Sequence, residues 1–89
     1  LIRDFIARQF RLTVSDLQSK SRKKNITFPR QVSMYLARKY TEQGLMEIGK
    51  AFNRDHSTVL HSVRVITEAM SRNGSIRGQV ELLGRKLQK

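Results

Sequence analysis

The chain has 89 residues, no cysteine and a formal charge of +11, with an isoelectric point near 11.2. A chain this short forms one small domain that buries only about two-thirds of its unfolded surface. The lack of cysteine excludes a disulfide framework and a thiolate zinc site, and the short apolar runs fall well below the roughly 20 residues a membrane span needs. The charge points to a polyanionic partner, with nucleic acid first and an anionic membrane second. An intracellular setting fits the lack of cysteine, and no signal peptide is visible. The sequence is already amphipathic at Leu1 and lacks an initiator methionine, so it reads as a piece of a longer protein.

Leu1, Ile2, Phe5, Ile6 and Phe10 recur at helical spacing and predict an amphipathic helix over residues 1–10. Thr13 and Asp16 have the spacing of a capping box and predict a short helix carrying Val14 and Leu17. No acidic residue lies between Asp16 and Glu42, whereas Lys20, Arg22, Lys23, Lys24, Arg30, Arg38 and Lys39 form a basic stripe. Within it, Lys20 to Asn25 lacks apolar periodicity and reads as a loop. Pro29 suits the first turn of the next helix, whose inward face holds Val32, Tyr35, Leu36 and Tyr40, and Gly44 offers a left-handed stop.

Leu45, Ile48 and Phe52 mark a helix of about two turns ending near Asn53, and a longer helix begins after Asp55. Two helices joined across Asn53, Arg54 and Asp55 fit a helix-turn-helix. In the longer one Val59, Leu60, Val63, Ile66 and Met70 are expected to face the core, leaving Ser57, His61, Arg64 and Glu68 outside. Asn73 and Gly74 end it. Ser75 is the expected cap of a last helix with a stripe of Ile76, Val80, Leu83 and Leu87, weakened by Gly78 and Gly84. The reading is all-α, with about six helices and a central helix-turn-helix.

The most informative stretch is Arg54-Asp55-His56-Ser57-Thr58-Val59-Leu60-His61. Asp55 suits an N-cap, where its carboxylate accepts the Thr58 N–H and favours the positive end of the helix dipole. That role is purely structural. If this helix start is also exposed, its first residues can reach base edges in a major groove. His56 and Ser57 can donate and accept there, and Asp55 can accept from a cytosine amino group. The Thr58 hydroxyl and the first-turn N–H groups can bind phosphate.

The run Lys20-Ser21-Arg22-Lys23-Lys24-Asn25 is either a solvated loop or a basic arm that enters a narrow minor groove. Arg22 is the best candidate for the groove, because guanidinium sheds water more readily than ammonium. Lys20, Lys23 and Lys24 suit non-specific phosphate contacts. His56 and His61 are five residues apart, about 140° around a helix, which is the wrong spacing for two metal ligands on one face; no metal is expected. No nucleophile with a base, carboxylate pair or Gly-rich phosphate loop suggests an enzyme. The aromatic residues fall at core spacing, so platforms for single-stranded nucleic acid are not expected.

In order and spacing, Asp16-Leu17-Gln18-Ser19-Lys20, Pro29-Arg30-Gln31, Leu45-Met46-Glu47-Ile48-Gly49 and the Arg54–His61 block resemble the C-terminal domain of the bacterial replication initiator DnaA, over essentially the whole chain. The resemblance implies a Trp-repressor-like helix-turn-helix that binds double-stranded DNA at short asymmetric DnaA boxes of the chromosomal origin, in the cytoplasm at the nucleoid. It also implies that residues 1–12 are a linker helix to an ATPase domain outside this sequence. ATP is expected only there, with no cofactor in this stretch, and the isolated domain is expected to be a monomer.

Carried over by position, Arg22 corresponds to a minor-groove arginine, and Asp55, His56 and Ser57 correspond to major-groove base readers. Arg30, Gln31, Arg38, Arg54, Thr58 and His61 would hold the DNA backbone, joined by Arg64 on the outer helix face. Leu45 would touch DNA at the start of its helix. Departures occur at Ser57, which lacks the methyl of the common threonine, and at Met46 and Val65, where proline and lysine are common. The turn before Arg54 is one residue shorter than the common Gly-Gly-Arg-Asp-His form.

Two other readings stand beside this one. A transcription regulator could use the same helix-turn-helix, because fold alone does not fix function. Alternatively, the apolar and basic residues within positions 1–11 could lie on acidic phospholipid. Against the latter, an amphipathic helix ordinarily packs its apolar side on its own domain.

Overall fold

In the computed structural model, which describes residues 2–88, the ends of the helices are set by caps as much as by apolar pattern. The chain forms α1 (Ile2–Gln9), α2 (Val14–Gln18), α3 (Lys24–Tyr40), α4 (Leu45–Ala51), α5 (His56–Arg72) and α6 (Gly74–Leu87). The capping box before α2 forms as its sequence predicts: Asp16 N–H donates to Thr13 Oγ1 at 3.0 Å, and Thr13 N–H donates to Asp16 Oδ2 at 2.9 Å. At the end of α1, Arg11 takes a left-handed φ of 57°, so that Arg11 N–H reaches Arg8 O and Leu12 N–H reaches Ala7 O. These paired bonds close the helix as a Schellman motif.

The long helices α3 and α5 pack centrally against each other; α1 and α2 lie on α3, while α4 and α6 lie on α5. One core cluster, including Leu17, Met34, Ile48, Phe52 and Val59, supports the helix-turn-helix from below. The other, including Ile6, Val32, Leu36, Ile66, Val80 and Leu83, joins α1, α3, α5 and α6. Each fully buried Leu, Ile or Phe contributes about 1.5–3 kcal/mol. All the aromatic rings are buried or half-buried, with Phe10 and Phe28 meeting edge to face at 6.2 Å.

The apolar side of α1 also faces inward. Ile6 and Ala7 are buried, and Ile2 and Phe5 pack against the core, so this face is occupied within the domain. Leu1, the first residue of the expected stripe, lies outside the described residues. Arg3 extends across to donate from Nη1 to Ala51 O at 2.8 Å, and Gln18 Nε2 donates to the same oxygen at 3.1 Å. Side chains from α1 and α2 thereby satisfy a carbonyl at the end of α4 that no helical N–H can reach.

Several expectations are corrected. Lys24 and Asn25 belong to α3 rather than to a loop, and Pro29 is inside the helix rather than in its first turn. Proline cannot donate to the carbonyl of Asn25, but Asn25 is exposed, so water can satisfy that oxygen. The early start lets Ile26 and Phe28 join the helix. Gly44 has φ −78° and caps the start of α4, while Thr41 closes α3, so the left-handed stop is absent. The core face of α5 includes buried Ser62 rather than Leu60, which is 37% exposed. Asn73, not Ser75, caps α6, with its Oδ1 accepting from Ser75 N–H and Ile76 N–H. Gly84 is buried against Tyr40, whose ring occupies the space a side chain would take.

Candidate nucleic-acid interface

The helix-turn-helix is α4, the turn Phe52–Asp55, and α5. Helix α4 therefore ends at Ala51, two residues before the expected Asn53. Asn53 has a left-handed φ of 56°, and its N–H donates to Lys50 O at 3.3 Å while Arg54 N–H donates to Gly49 O at 2.9 Å. This is again a Schellman closure, with asparagine at the left-handed position it tolerates better than most residues.

Asp55 caps α5. Its Oδ1 accepts from Thr58 N–H, Thr58 Oγ1–H and Ser57 Oγ–H, each at 2.9 Å. The Thr58 backbone bond, followed by the Thr58 and Ser57 hydroxyl bonds, holds this carboxyl below its ordinary value. The caps also change what the hydroxyls can offer. Ser57 was expected to donate as well as accept, but its proton is directed at Asp55 in the free chain, leaving its lone pairs for a partner. Thr58 is half-buried with its proton similarly directed.

Asp55, His56 and Ser57 are all exposed. His56 shares an open concavity with Arg38, Gly44, Leu45, Met46 and Glu47, which brings the starts of α4 and α5 onto one surface. Met46 is 68% exposed there. In the sequence it is marked only by its departure from proline, and its exposure is a feature of the folded chain. His61 and Arg64 are exposed farther along α5, where the nearby Glu68 pairs with Arg72 at 3.1 Å.

A second concavity is lined by Lys20, Ser21, Arg22, Thr27, Arg30, Asn53 and Arg54, with no carboxylate among them. Arg22, Lys20, Lys23 and Lys24 are exposed, as an arm that meets DNA requires, and Gln31 is half-buried. Arg38 is exposed, with Nη1 donating to Gln43 O at 3.4 Å.

Arg30 departs from the expected exposed phosphate contact. It is 6% exposed, with Nε donating to Leu17 O at 2.8 Å and Nη2 to Ser19 O at 2.8 Å and Ser21 O at 3.3 Å. Burial, and then the nearby Arg54 charge, lower its guanidinium from the ordinary value. Arg54 also turns inward: Nη2 donates to Ser19 O at 2.6 Å and Nη1 to Phe52 O at 3.0 Å. Both arginines thus hold the backbone of their own chain. The spacing of the sequence could not reveal this, since the carbonyls of Leu17, Ser19 and Ser21 that they hold come from another segment.

Fold and surface together define a basic helix-turn-helix protein with the start of its second helix open to a partner. The family described as bacterial dnaA protein helix-turn-helix matches residues 1–66, and the chain belongs to that family. It is 58% identical over 87 residues to a chromosomal replication initiator protein DnaA of Desulfotalea psychrophila, covering 98% of this chain and 18% of that protein. The DnaA protein of Desulfatibacillum aliphaticivorans is 44% identical over 88 residues, covering 99% and 19%. A crystal structure of a DNA replication initiation factor superposes with a TM-score of 0.84 at 35% identity, covering 96% of this chain and 26% of that one. The chain thus spans about a fifth of the length of these curated relatives.

Proposed function

We propose that this chain is a DNA-addressing domain of chromosomal replication initiation, binding short asymmetric duplex sites of the DnaA-box type. The observation that carries this reading is the exposed start of α5 at Asp55–Ser57, flanked by an acid-free basic concavity, in a chain of this family. The first turn of α5 enters the major groove, where His56 meets base edges and Ser57 accepts hydrogen bonds. Arg22 enters the adjacent minor groove. Lys20, Lys23 and Lys24 neutralise phosphates, with Gln31, Arg38, Leu45, His61 and Arg64 bordering the same DNA.

The domain acts as a monomeric binding module at the nucleoid, without catalysis of its own. Among the described residues no helix is long and apolar enough to cross a membrane. The packed apolar side of α1 weighs against a lipid-surface role for that helix.

Selection of bound duplexes from a random-sequence pool tests the reading. The expected product is one short asymmetric site. Recovery of a palindrome would favour a dimeric regulator, and recovery of no motif would remove sequence-specific binding.

A further inference from the structure

We infer that Arg54 is a positioning residue whose guanidinium ties the helix-turn-helix turn to the Ser19–Ser21 loop, fixing the spacing between the Arg22 arm and the reading end of α5. The inference rests on the duplex-reading function proposed above.

The Ser19 carbonyl accepts from two arginines, Arg54 Nη2 at 2.6 Å and Arg30 Nη2 at 2.8 Å. Arg30 also grips the Leu17 and Ser21 carbonyls, while Arg54 Nη1 grips the Phe52 carbonyl on its own side. A single planar fork therefore spans from the turn to the loop. Lysine keeps the charge but is a compact point donor without that fork.

The clamp lies next to both proposed readers in the chain. Ser21, held by Arg30, immediately precedes Arg22, and Arg54 immediately precedes Asp55. Local bonds brace the loop side: Ser21 N–H donates to Ser19 Oγ at 3.3 Å, and Lys23 N–H donates to Ser21 Oγ at 3.2 Å. Schellman closure braces the other side through Arg54 N–H and Gly49 O. Two segments 35 residues apart are thus joined at one oxygen. A guanidinium that only neutralised a phosphate would need none of these partners.

The test measures binding of the whole chain to the duplex recovered by the random-pool selection, to versions with one base pair inserted at each central step, and to a scrambled duplex. Wild type is expected to lose at least about tenfold in affinity on insertion, the scale of a serious mismatch. Arg54→Lys is expected to bind the uninterrupted site more weakly but to show an insertion penalty below about threefold, with its salt dependence unchanged because the charge remains. A wild-type insertion penalty in Arg54→Lys would overturn the positioning role and leave base reading intact. Loss of less than about twofold on insertion in wild type would also overturn it, without requiring any variant to fold. Equal wild-type affinity for the selected and scrambled duplexes would instead defeat the duplex-reading function.

Discussion

Gly49 lies beneath the Arg54 carbonyl, so that α4 and the approach to α5 are separated by less than the width of a side chain. A Cβ at position 49 would run into that oxygen and come within 3.2 Å of the Asp55 carbonyl oxygen. Because the obstruction is backbone, it cannot rotate away. Gly49→Ala is expected to destabilise the fold by about 1–3 kcal/mol, the usual cost of overpacking. At about 4–8 °C per kcal/mol for a domain of this size, a thermal melt followed by circular dichroism should resolve the loss. An unchanged midpoint would contradict the close approach.

Arg11 presents the opposite case. It is exposed, with φ 57°, at a position whose closure bonds involve only its backbone. Left-handed backbone costs a non-glycine residue roughly 1–2 kcal/mol, part of which glycine returns through its flexibility when unfolded. Arg11→Gly is therefore expected to raise stability by about 0.5–1 kcal/mol, seen as a higher urea midpoint. A lower midpoint would mean that the arginine side chain contributes more than its backbone strain costs.

The Asp55 cap should respond to acid. Since folding lowers this carboxyl below its ordinary value of 3.8, its contribution is full above that value and is lost as pH falls through the lower folded value. The difference in melting temperature between wild type and Asp55→Asn should accordingly narrow below about pH 3.8. A difference that stays constant from neutral pH through that range would show that the charge contributes nothing to the cap.

Lys23 is exposed and makes no side-chain cap at the start of α3, so its expected contribution is to phosphate neutralisation. Lys23→Ala should weaken cognate and scrambled duplexes alike and reduce the slope of log affinity against log salt by up to about one unit. Titrations at several salt concentrations would measure it. Loss confined to the cognate duplex would assign Lys23 to base reading instead.

The parts of the molecule legible in sequence were those whose causes lie close together in the chain. Thr13 and Asp16 cap each other across three residues, and Asp55 caps Thr58 across the same interval. The 3.6-residue period placed Val59, Val63 and Ile66 toward the core, but failed at the stripe's edge, where Leu60 is exposed and Ser62 buried. Pro29 misleads because proline usually favours a first helical turn, whereas here the helix starts at Lys24 and carries half-buried Phe28 onto the core. Arg30 and Arg54 read as surface cations in sequence because the α2-end and loop carbonyls they hold lie 9 to 36 residues away. The basic character of that region was readable, but which cations remain free was set by tertiary packing.

The most direct test is the ratio of affinities for cognate and scrambled duplexes, measured side by side for wild type and His56→Ala. His56 is exposed at the first position of α5, where truncation leaves the core undisturbed. The substitution is expected to cost about 1–3 kcal/mol on the cognate site and much less on the scrambled one, collapsing the ratio. A variant that folds and keeps the wild-type ratio would contradict base reading by the start of α5.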